Sequence, residues 1–295
     1  MSMDEVKGVI VAALTPFQED GSLNHEALKS HVDFMIKSGV HGFFCAGTYG
    51  EGPMLSPADY REVSRAVVNA VEGRVPVIFQ VSAPSTIQAV EQVHIVSEEN
   101  VDYIAAVPAY YYRHDDDSLV EYFRAISDAT DKPIFVYDNP GRTGNPITPR
   151  LLRRLAQLDR IVGMKDSSDS LVHFEKCQMV VGSDFTMIIG SDDFYLAGLV
   201  MGAQGAILVL GNVFPKLVVD LWDAFKSGDM SRARLLQYEI IRVREVLAKG
   251  PYVSSYHEAI RLLGRDAGVA RKPLRSLNDQ EKAELENRFR ELGVL

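Results

Sequence analysis

Short apolar runs alternate along the chain with longer segments of mixed polarity. An almost uninterrupted apolar run is typical of a strand that is covered on both faces, as in a parallel sheet. The segments between the runs have the apolar spacing of amphipathic helices, as in 24–38 and in 56–71, where Ser56 and Pro57 suit a helix cap and a first helical position. The predicted strands read GVIVAALT, GFFCAGT, PVIFQVS, YIAAVPA, PIFVYDN, IVGMKD, FTMIIGS and GAILVLG.

Eight successive strand and helix units predict a closed barrel. Parallel strands joined by right-handed helical crossovers form the α/β architecture known as the (β/α)8 or TIM barrel. An open doubly wound sheet is the alternative, although such a sheet normally has fewer strands. After Ser227 the alternation stops, and three segments with helical spacing follow. We therefore expect a catalytic barrel over residues 1–225 and a three-helix extension on its outside over residues 226–295.

The composition limits the partners and the cellular location that we expect for this barrel. The 295 residues are 46% hydrophobic and 24% charged, and a formal net charge of -9 without a basic stripe argues against nucleic acid or membrane partners. The first residues show no export signal, and the apolar runs are shorter than the roughly 20 residues that span a bilayer. Cys45 and Cys177 stand apart, which favours a reducing, cytoplasmic location. The seven histidines lack paired ligand spacing, so we predict no metal.

Lys165 stands where an apolar strand runs into the polar residues Asp166, Ser167 and Ser168. Barrels of this type carry their chemistry at the carboxyl ends of the strands. Desolvation there lowers the pKa of a lysine from about 10.4, and the neutral amine can form a Schiff base with a ketone. The imine turns the adjacent carbon into an enamine nucleophile. The alternative is a structural ion pair between Lys165 and Asp166 or another acid of the barrel rim.

The end of the fifth predicted strand, VYDNPGRTG, supports the catalytic interpretation. It places Tyr137 on the strand next to Lys165 and Arg142 in a turn rich in proline and glycine. A phenol can carry the protons that imine and enamine formation require, and a guanidinium fork suits a carboxylate. The structural alternatives are a core position for the Tyr137 ring and a solvated loop position for Arg142.

Two further strand ends carry glycine-rich or aromatic sequences. GTYGEG, after the second strand, has glycines at 47 and 50 that allow backbone N–H groups to bind a carboxylate, but it matches neither a phosphate loop nor a dinucleotide fingerprint. AYYYR, after the fourth strand, favours ring packing at a subunit or domain contact. The acidic run at 115–117 predicts the N-terminus of the next helix rather than a metal site.

GTYGE, YDNPGRTG and KDSS occur in an order and spacing that resembles the dihydrodipicolinate synthase and N-acetylneuraminate lyase superfamily of pyruvate-dependent class I aldolases. The resemblance covers nearly the whole chain and implies that Lys165 forms the Schiff base while Tyr137 shuttles protons. It further implies that Thr48 links Tyr137 to Tyr110 of a neighbouring subunit, and that the backbone carbonyl of Ile207 faces the substrate. It implies no cofactor beyond the covalent imine, and a homodimer or homotetramer.

One position departs from the pattern of this family. Tyr49 stands in place of a second threonine beside the pyruvate carboxylate, so backbone N–H groups can still bind that carboxylate while the pocket changes shape. Arg142 matches the arginine with which the synthases hold the carboxylate of their aldehyde substrate. By contrast, IFQVSAPST and YYYR are more similar to the branch that handles 2-keto-3-deoxy sugar acids.

The resemblance leads to several functional hypotheses. The first is a carbon–carbon lyase that joins pyruvate to an aldehyde or cleaves the product, as a 2-keto-3-deoxy sugar acid aldolase does. Its enzymatic rivals are 4-hydroxy-tetrahydrodipicolinate synthase, which uses pyruvate and aspartate semialdehyde, and a sugar-acid dehydratase that uses the same imine. The non-enzymatic alternative is a catalytically silent barrel that binds a keto acid.

Overall fold

Eight parallel strands close into a barrel in the computed structural model, which describes residues 6–295. The strands are β1 (Gly8–Ala12), β2 (Gly42–Cys45), β3 (Val77–Val81), β4 (Tyr103–Ala106), β5 (Ile134–Asp138), β6 (Ile161–Asp166), β7 (Thr186–Ile189) and β8 (Gly205–Leu208). Each strand pairs with its sequence neighbours, and β1 closes the barrel on β8 with Ile10 opposite Ile207. Each predicted apolar run contains one of these strands, so the predicted (β/α)8 fold is confirmed.

Helices surround the barrel, and most of them connect successive strands. They are α1 (His25–Lys37), α2 (Pro57–Val71), α3 (Thr86–Ser97), α4 (Asp116–Asp128), α5 (Pro140–Thr143), α6 (Pro149–Leu155), α7 (Leu171–Gln178), α8 (Tyr195–Val200), α9 (Pro215–Lys226), α10 (Met230–Leu247), α11 (Ser254–Leu262) and α12 (Asp279–Glu291). Ser56 caps α2, since its hydroxyl accepts the Asp59 N–H at 3.2 Å while the Asp59 carboxylate accepts the Ser56 N–H at 2.8 Å. Asp115 caps α4 by accepting the Ser118 N–H at 2.8 Å, which confirms the helix N-terminus predicted at the acidic run.

The last three helices follow α9 without a strand between them, as the sequence predicts. Helix α10 packs against α8 and α9, and both α11 and α12 pack against α10. Phe289 of α12 is fully buried, and its ring centroid lies 5.8 Å from that of Phe214. The extension therefore shares the hydrophobic core of the barrel, while the division into two domains between residues 225 and 226 stays a prediction.

All eight strands run in the same direction, so their carboxyl ends and the loops that follow them surround one mouth. None of the helices in residues 6–295 combines the length and apolar character that crossing a membrane would need. The predicted absence of an export signal concerns the first residues of the chain, of which 1–5 lie outside the described part.

Candidate active site

A cavity of about 390 Å³ opens at the mouth of the barrel. The loops after β2, β5, β6 and β7 border it, together with β8 and residues of the C-terminal extension. A wider groove of about 660 Å³ lies on the outside between α1 and α2, and it contains none of the predicted site residues. Seven site residues are predicted from the sequence, and all of them except Tyr110 border this cavity. They are Thr48, Tyr49, Tyr137, Arg142, Lys165 and Ile207.

Lys165 lies on β6 directly beside Tyr137 of β5 and is only 4% exposed. Its Nζ lies 3.9 Å from the centroid of the Tyr137 ring and 4.0 Å from that of Phe44. Burial lowers the pKa of Lys165 below its ordinary value, although Tyr137 and Asp192 oppose this shift. Within residues 6–295 no carboxylate lies within 4.0 Å of the amine, so the structural ion pair with Asp166 is not formed. The buried amine is therefore available as a nucleophile.

The Tyr137 hydroxyl is surrounded by hydrogen-bonding side chains. It lies 3.4 Å from Thr48 Oγ1 and accepts an N–H from the Asn139 amide at 2.9 Å. The same amide also donates to Thr48 Oγ1 at 3.4 Å. Burial raises the pKa of Tyr137, but the neighbouring Lys165 charge and these hydrogen bonds outweigh burial and lower the pKa overall. A phenol in this environment suits proton transfer to and from an imine.

Two glycines make room for this arrangement. A Cβ on Gly190 would lie 3.0 Å from Lys165 Cε and 2.1 Å from Ser167 Oγ, so a side chain there would displace the lysine or the serine. A Cβ on Gly47 would lie 2.6 Å from the Phe44 ring, which also contacts the lysine amine. The strand ends approach the amine this closely because neither position carries a side chain.

Glu51, the acid of GTYGEG, turns away from the cavity. Its φ of 60° is in the left-handed region, it is 2% exposed, and its carboxylate accepts the Arg271 backbone N–H at 2.9 Å. Burial raises the pKa of Glu51 to about 7, although Arg271 opposes the shift. The residue therefore anchors the loop to the C-terminal part of the chain instead of facing a substrate.

Asp138 and Asp166 form a second cross-strand pair, next to Tyr137 and Lys165. They face outward because successive residues of a strand point to opposite sides of the sheet. His173 of α7 donates from Nε2 to Asp138 at 3.0 Å, and this hydrogen bond raises the pKa of His173 to about 10. In the described part of the chain these three residues could hold a metal ion, since their ligand atoms lie within 4.8 Å of one another. The bond to His173 holds Asp138, while Asp166 Oδ2 has no hydrogen-bond partner among residues 6–295.

Side chains from the C-terminal extension complete one wall of the cavity. Tyr252 stacks on Tyr49, with ring centroids 5.0 Å apart and 22° between the planes, and the Arg142 guanidinium lies 4.5 Å from the centroid of Tyr252. Arg244 also borders the cavity, with its Nε 3.5 Å from the Asp192 carboxylate. Sequence reasoning does not identify Arg244 or Tyr252, because helical spacing does not show which residues of the extension reach the mouth.

The sequence analysis also does not identify Asn139, although its spacing from Tyr137 could have indicated it. Residues two apart on an extended segment share a face, so the amide that follows Tyr137 by two positions can return to its hydroxyl. Ile207, by contrast, lies on β8 and borders the cavity, and the role of its backbone carbonyl stays a prediction.

The three tyrosines after β4 do not line the cavity of their own chain. Tyr110 is partly buried against the hydrophobic core, and burial raises its pKa. Tyr111 has a φ of 80° and is 84% exposed, and Tyr112 is 66% exposed. A role of Tyr110 in the site of a neighbouring subunit therefore stays a prediction.

Comparison with known proteins places this site in a family. The sequence profile of the Dihydrodipicolinate synthetase family matches residues 5–292. An uncharacterized DapA-like lyase of Halobacterium salinarum is 38% identical over 288 residues, which cover 98% of this chain and 94% of that protein. The 4-hydroxy-tetrahydrodipicolinate synthase of Methanopyrus kandleri is 34% identical over 293 residues, which cover 99% of this chain and 98% of the synthase.

Solved structures have the same architecture. YagE, a prophage protein of the dihydrodipicolinic acid synthase family from E. coli K12 in complex with pyruvate, matches with a TM-score of 0.94 and 28% identity over 98% of this chain and 99% of YagE. Dihydrodipicolinate synthase from Aquifex aeolicus matches with a TM-score of 0.92 and 28% identity over 98% of both chains. Members of the family are lyases that form a Schiff base with pyruvate. The chain therefore belongs to the dihydrodipicolinate synthetase family and is a carbon–carbon lyase of the class I aldolase type.

Proposed function

We propose that the protein joins pyruvate to an aldehyde, or cleaves the product, through an imine on Lys165, and that this product is a 2-keto-3-deoxy sugar acid. The convergence of the Lys165 amine, the Tyr137 hydroxyl and the GTYGEG turn on one cavity carries this proposal. Burial gives the Lys165 amine the lowered pKa that nucleophilic attack on a ketone requires.

The reaction proceeds through three covalent steps. The Lys165 amine attacks C2 of pyruvate, and water leaves as the imine forms. Loss of a proton from C3 gives the enamine, whose C3 attacks the aldehyde carbon while the aldehyde oxygen takes up a proton. Water then hydrolyses the imine, which releases the product and restores the amine. Tyr137 carries protons between these groups, held by its hydrogen bonds with Thr48 and Asn139.

The polar lining of the cavity supports a hydroxylated aldehyde. Hydroxyl and amide groups that can pair with sugar hydroxyls come from Asn139, Ser167, Ser168 and Ser191. The free guanidinium of Arg142 is the observation that favours 4-hydroxy-tetrahydrodipicolinate synthase as the second candidate. A sugar-acid dehydratase would begin with the same imine on Lys165.

Borohydride reduction in the presence of pyruvate tests the imine. The wild-type protein should gain the mass of a reduced pyruvate adduct at Lys165, and Lys165→Ala should gain none. A wild-type protein that stays unlabelled would remove the mechanism and leave a keto-acid-binding barrel as the surviving hypothesis.

Product formation from pyruvate and individual aldehydes separates the enzymatic alternatives. We expect turnover with short hydroxyaldehydes and a new carbon–carbon bond in the product. Consumption of aspartate semialdehyde alone would contradict the sugar-acid assignment and support the synthase. Release of water from a sugar acid without cleavage of its carbon chain would support the dehydratase.

We further propose that the active unit is a homodimer or homotetramer in which Tyr110 completes the neighbouring site. A cyclic dimer interface is self-complementary, so each subunit would supply its tyrosine to the other. Mixing inactive Tyr110→Phe and Lys165→Ala subunits should then restore activity, because one site of a mixed dimer holds both native residues. The exposed neighbour Tyr111 provides the matched variant, Tyr111→Phe. If mixed dimers form without activity, Tyr110 acts within its own chain, and if Tyr111→Phe is the variant that complements, Tyr111 crosses the interface.

A further inference from the structure

Helix α10 of the C-terminal extension is attached to the loop that follows β7. The Gln237 amide donates to the backbone carbonyl of Asp192 at 2.9 Å, and its oxygen accepts the Leu196 N–H at 2.8 Å. Arg244 lies two helical turns further along the same face of α10, with its Nε 3.5 Å from the Asp192 carboxylate. The helix therefore brings a guanidinium to a carboxylate that is only 3% exposed at the mouth of the barrel.

Asp192 shares the cavity with Lys165. Gly190, two residues before Asp192, lies against the lysine, since a Cβ there would be 3.0 Å from Lys165 Cε. The negative charge of Asp192 favours the ammonium form, so it opposes the lowering of the Lys165 pKa by burial. Asp192 Oδ1 accepts the Leu210 N–H at 3.0 Å, whereas Oδ2 accepts no hydrogen bond from residues 6–295. The cation beside Oδ2 therefore decides how strongly the carboxylate acts on the lysine.

That cation is Arg244, the only one within 4.0 Å of the Asp192 carboxylate in the described part of the chain. Burial raises the pKa of Asp192, and the positive charge of Arg244 is the main influence that opposes this shift. Arg244 Nε makes no hydrogen bond with residues 6–295, so its contact with the carboxylate is electrostatic. Arg244 Nη1 donates to the Tyr256 hydroxyl at 2.9 Å, which holds the guanidinium in place.

Without Arg244, the Asp192 carboxylate would be left with Lys165 as its buried counter-charge. Among the described residues, the charged side chains at the cavity are Lys165, Arg142, Asp169, Asp192 and Arg244. Arg142 and Asp169 are exposed to solvent, whereas Lys165 is 4% exposed. The Tyr137 ring also faces the lysine amine, which lies 3.9 Å from its centroid. Opposite charges attract more strongly where water is excluded, so an uncompensated Asp192 would pair with the lysine.

We infer that Arg244 keeps the Lys165 amine reactive by compensating the Asp192 carboxylate, which would otherwise pair with the lysine. Arg244 is then a positioning residue that acts through Asp192. A lysine in an ion pair is an ammonium ion, which has no lone pair for attack on C2 of pyruvate. The inference rests on the proposed function and deepens it, because it makes the imine on Lys165 depend on a residue of the C-terminal extension.

Arg244→Met tests the compensation, since it removes the guanidinium and keeps a long unbranched side chain. We measure the rate of borohydride trapping with pyruvate across the neutral and alkaline pH range. The half-maximal rate should move to higher pH by about one unit, and the rate at neutral pH should fall about 10-fold, as expected for a lysine beside an uncompensated carboxylate. Arg242→Met makes the same change at an exposed position of α10 and should match the wild type. A wild-type profile in Arg244→Met would overturn the inference.

Removal of the carboxylate should reverse this defect. Asp192→Asn combined with Arg244→Met leaves no charge to pair with Lys165, so the trapping rate should return to within about threefold of the wild type. A structural loss caused by Arg244→Met would not be cancelled by a second substitution. A folded double variant that stays slow, with urea unfolding as the check, would mean that Arg244 contacts the substrate or supports the fold, which contradicts the inference.

Asp192→Asn alone provides a test that does not depend on the stability of Arg244→Met. It leaves the Arg244 charge without its partner near the amine, so the half-maximal trapping rate should move to lower pH. A shift to higher pH, or no shift, would refute the role of Asp192. Unchanged profiles in all these variants would refute the inference while the imine mechanism stands. A wild type without an adduct would remove the proposed function itself.

Discussion

Two cross-strand pairs on β5 and β6 are adjacent in sequence and face opposite sides of the sheet. Tyr137 and Lys165 point into the mouth of the barrel, whereas Asp138 and Asp166 point toward α7. All four side chains belong to residues that are between 0% and 4% exposed. Burial alone therefore does not decide which pair is reactive.

The two pairs differ in the hydrogen-bonding and charged groups that surround them. In the outer pair, His173 donates to Asp138 at 3.0 Å, and each carboxylate also accepts a backbone N–H, at 3.0 Å for Asp138 and 2.7 Å for Asp166. In the inner pair, the Lys165 amine borders a cavity and has no carboxylate within 4.0 Å among residues 6–295. His173 compensates the buried Asp138 carboxylate, whereas burial and the neighbouring Asp138 raise the pKa of Asp166. The inner amine has a lowered pKa and stays available for chemistry.

Among the variants of the two pairs, Tyr137→Phe should cause the largest loss of activity. We expect kcat to fall by about 10²- to 10⁴-fold, because the variant removes the group that we propose to transfer protons and leaves the ring and the lysine in place. The free energy of unfolding should change little. Steady-state kinetics and urea unfolding together check this. A loss below tenfold would mean that another group moves the proton.

Asp138→Ala should show the opposite behaviour. Removing one partner of a buried pair leaves His173 without its acceptor, and we expect the free energy of unfolding to fall by about 3 kcal/mol. The activity of the folded fraction should fall much less than in Tyr137→Phe. Urea unfolding and kinetics at a temperature where the variant is folded measure both. An inactive but fully stable Asp138→Ala would mean that the outer pair takes part in the reaction.

Asn139→Val tests the environment of the inner pair with a smaller change. It removes the N–H that the Tyr137 hydroxyl accepts at 2.9 Å, so the pKa of Tyr137 should rise and the limb of the pH–rate profile that it controls should move to higher pH. The loss of the hydrogen bond to Tyr137 predicts a fall in kcat of about 3- to 10-fold. An unshifted profile would show that the amide does not tune the phenol.

The last prediction concerns His173, the hydrogen-bond partner of Asp138 in the outer pair. The pKa of His173 is raised to about 10 in the folded protein from an ordinary value of 6.5. Its contribution to stability is therefore fully present below about pH 6.5 and is lost as the pH rises through about 10. The melting temperature of the wild type should decline across this pH window. The decline should be weaker in His173→Gln, where the side chain is neutral throughout. Parallel curves for the two proteins would contradict a charged His173.

The sequence by itself determined the barrel and the inner pair. The continuous apolar runs predict buried parallel strands, and a lysine at the end of such a run lies at the mouth where loops converge. Tyr137 follows because β5 and β6 are consecutive and end at the same level. These patterns depend on residues that are close together in the sequence, so they can be interpreted without knowing the other contacts of the fold.

Only the tertiary structure decided which outward-facing groups meet and which part of the extension reaches the site. His173 is 35 positions from Asp138, and only the packing of α7 against the strands brings the two together. Tyr49 and Tyr252 lie near opposite ends of the chain and stack because the segment after α10 passes over the barrel mouth. Hydrophobic periodicity records which face of a helix is buried, but it carries no information about the helix's position along the barrel. That position is set by side-chain packing across the closed barrel, and it is what gives Arg142 its aromatic support.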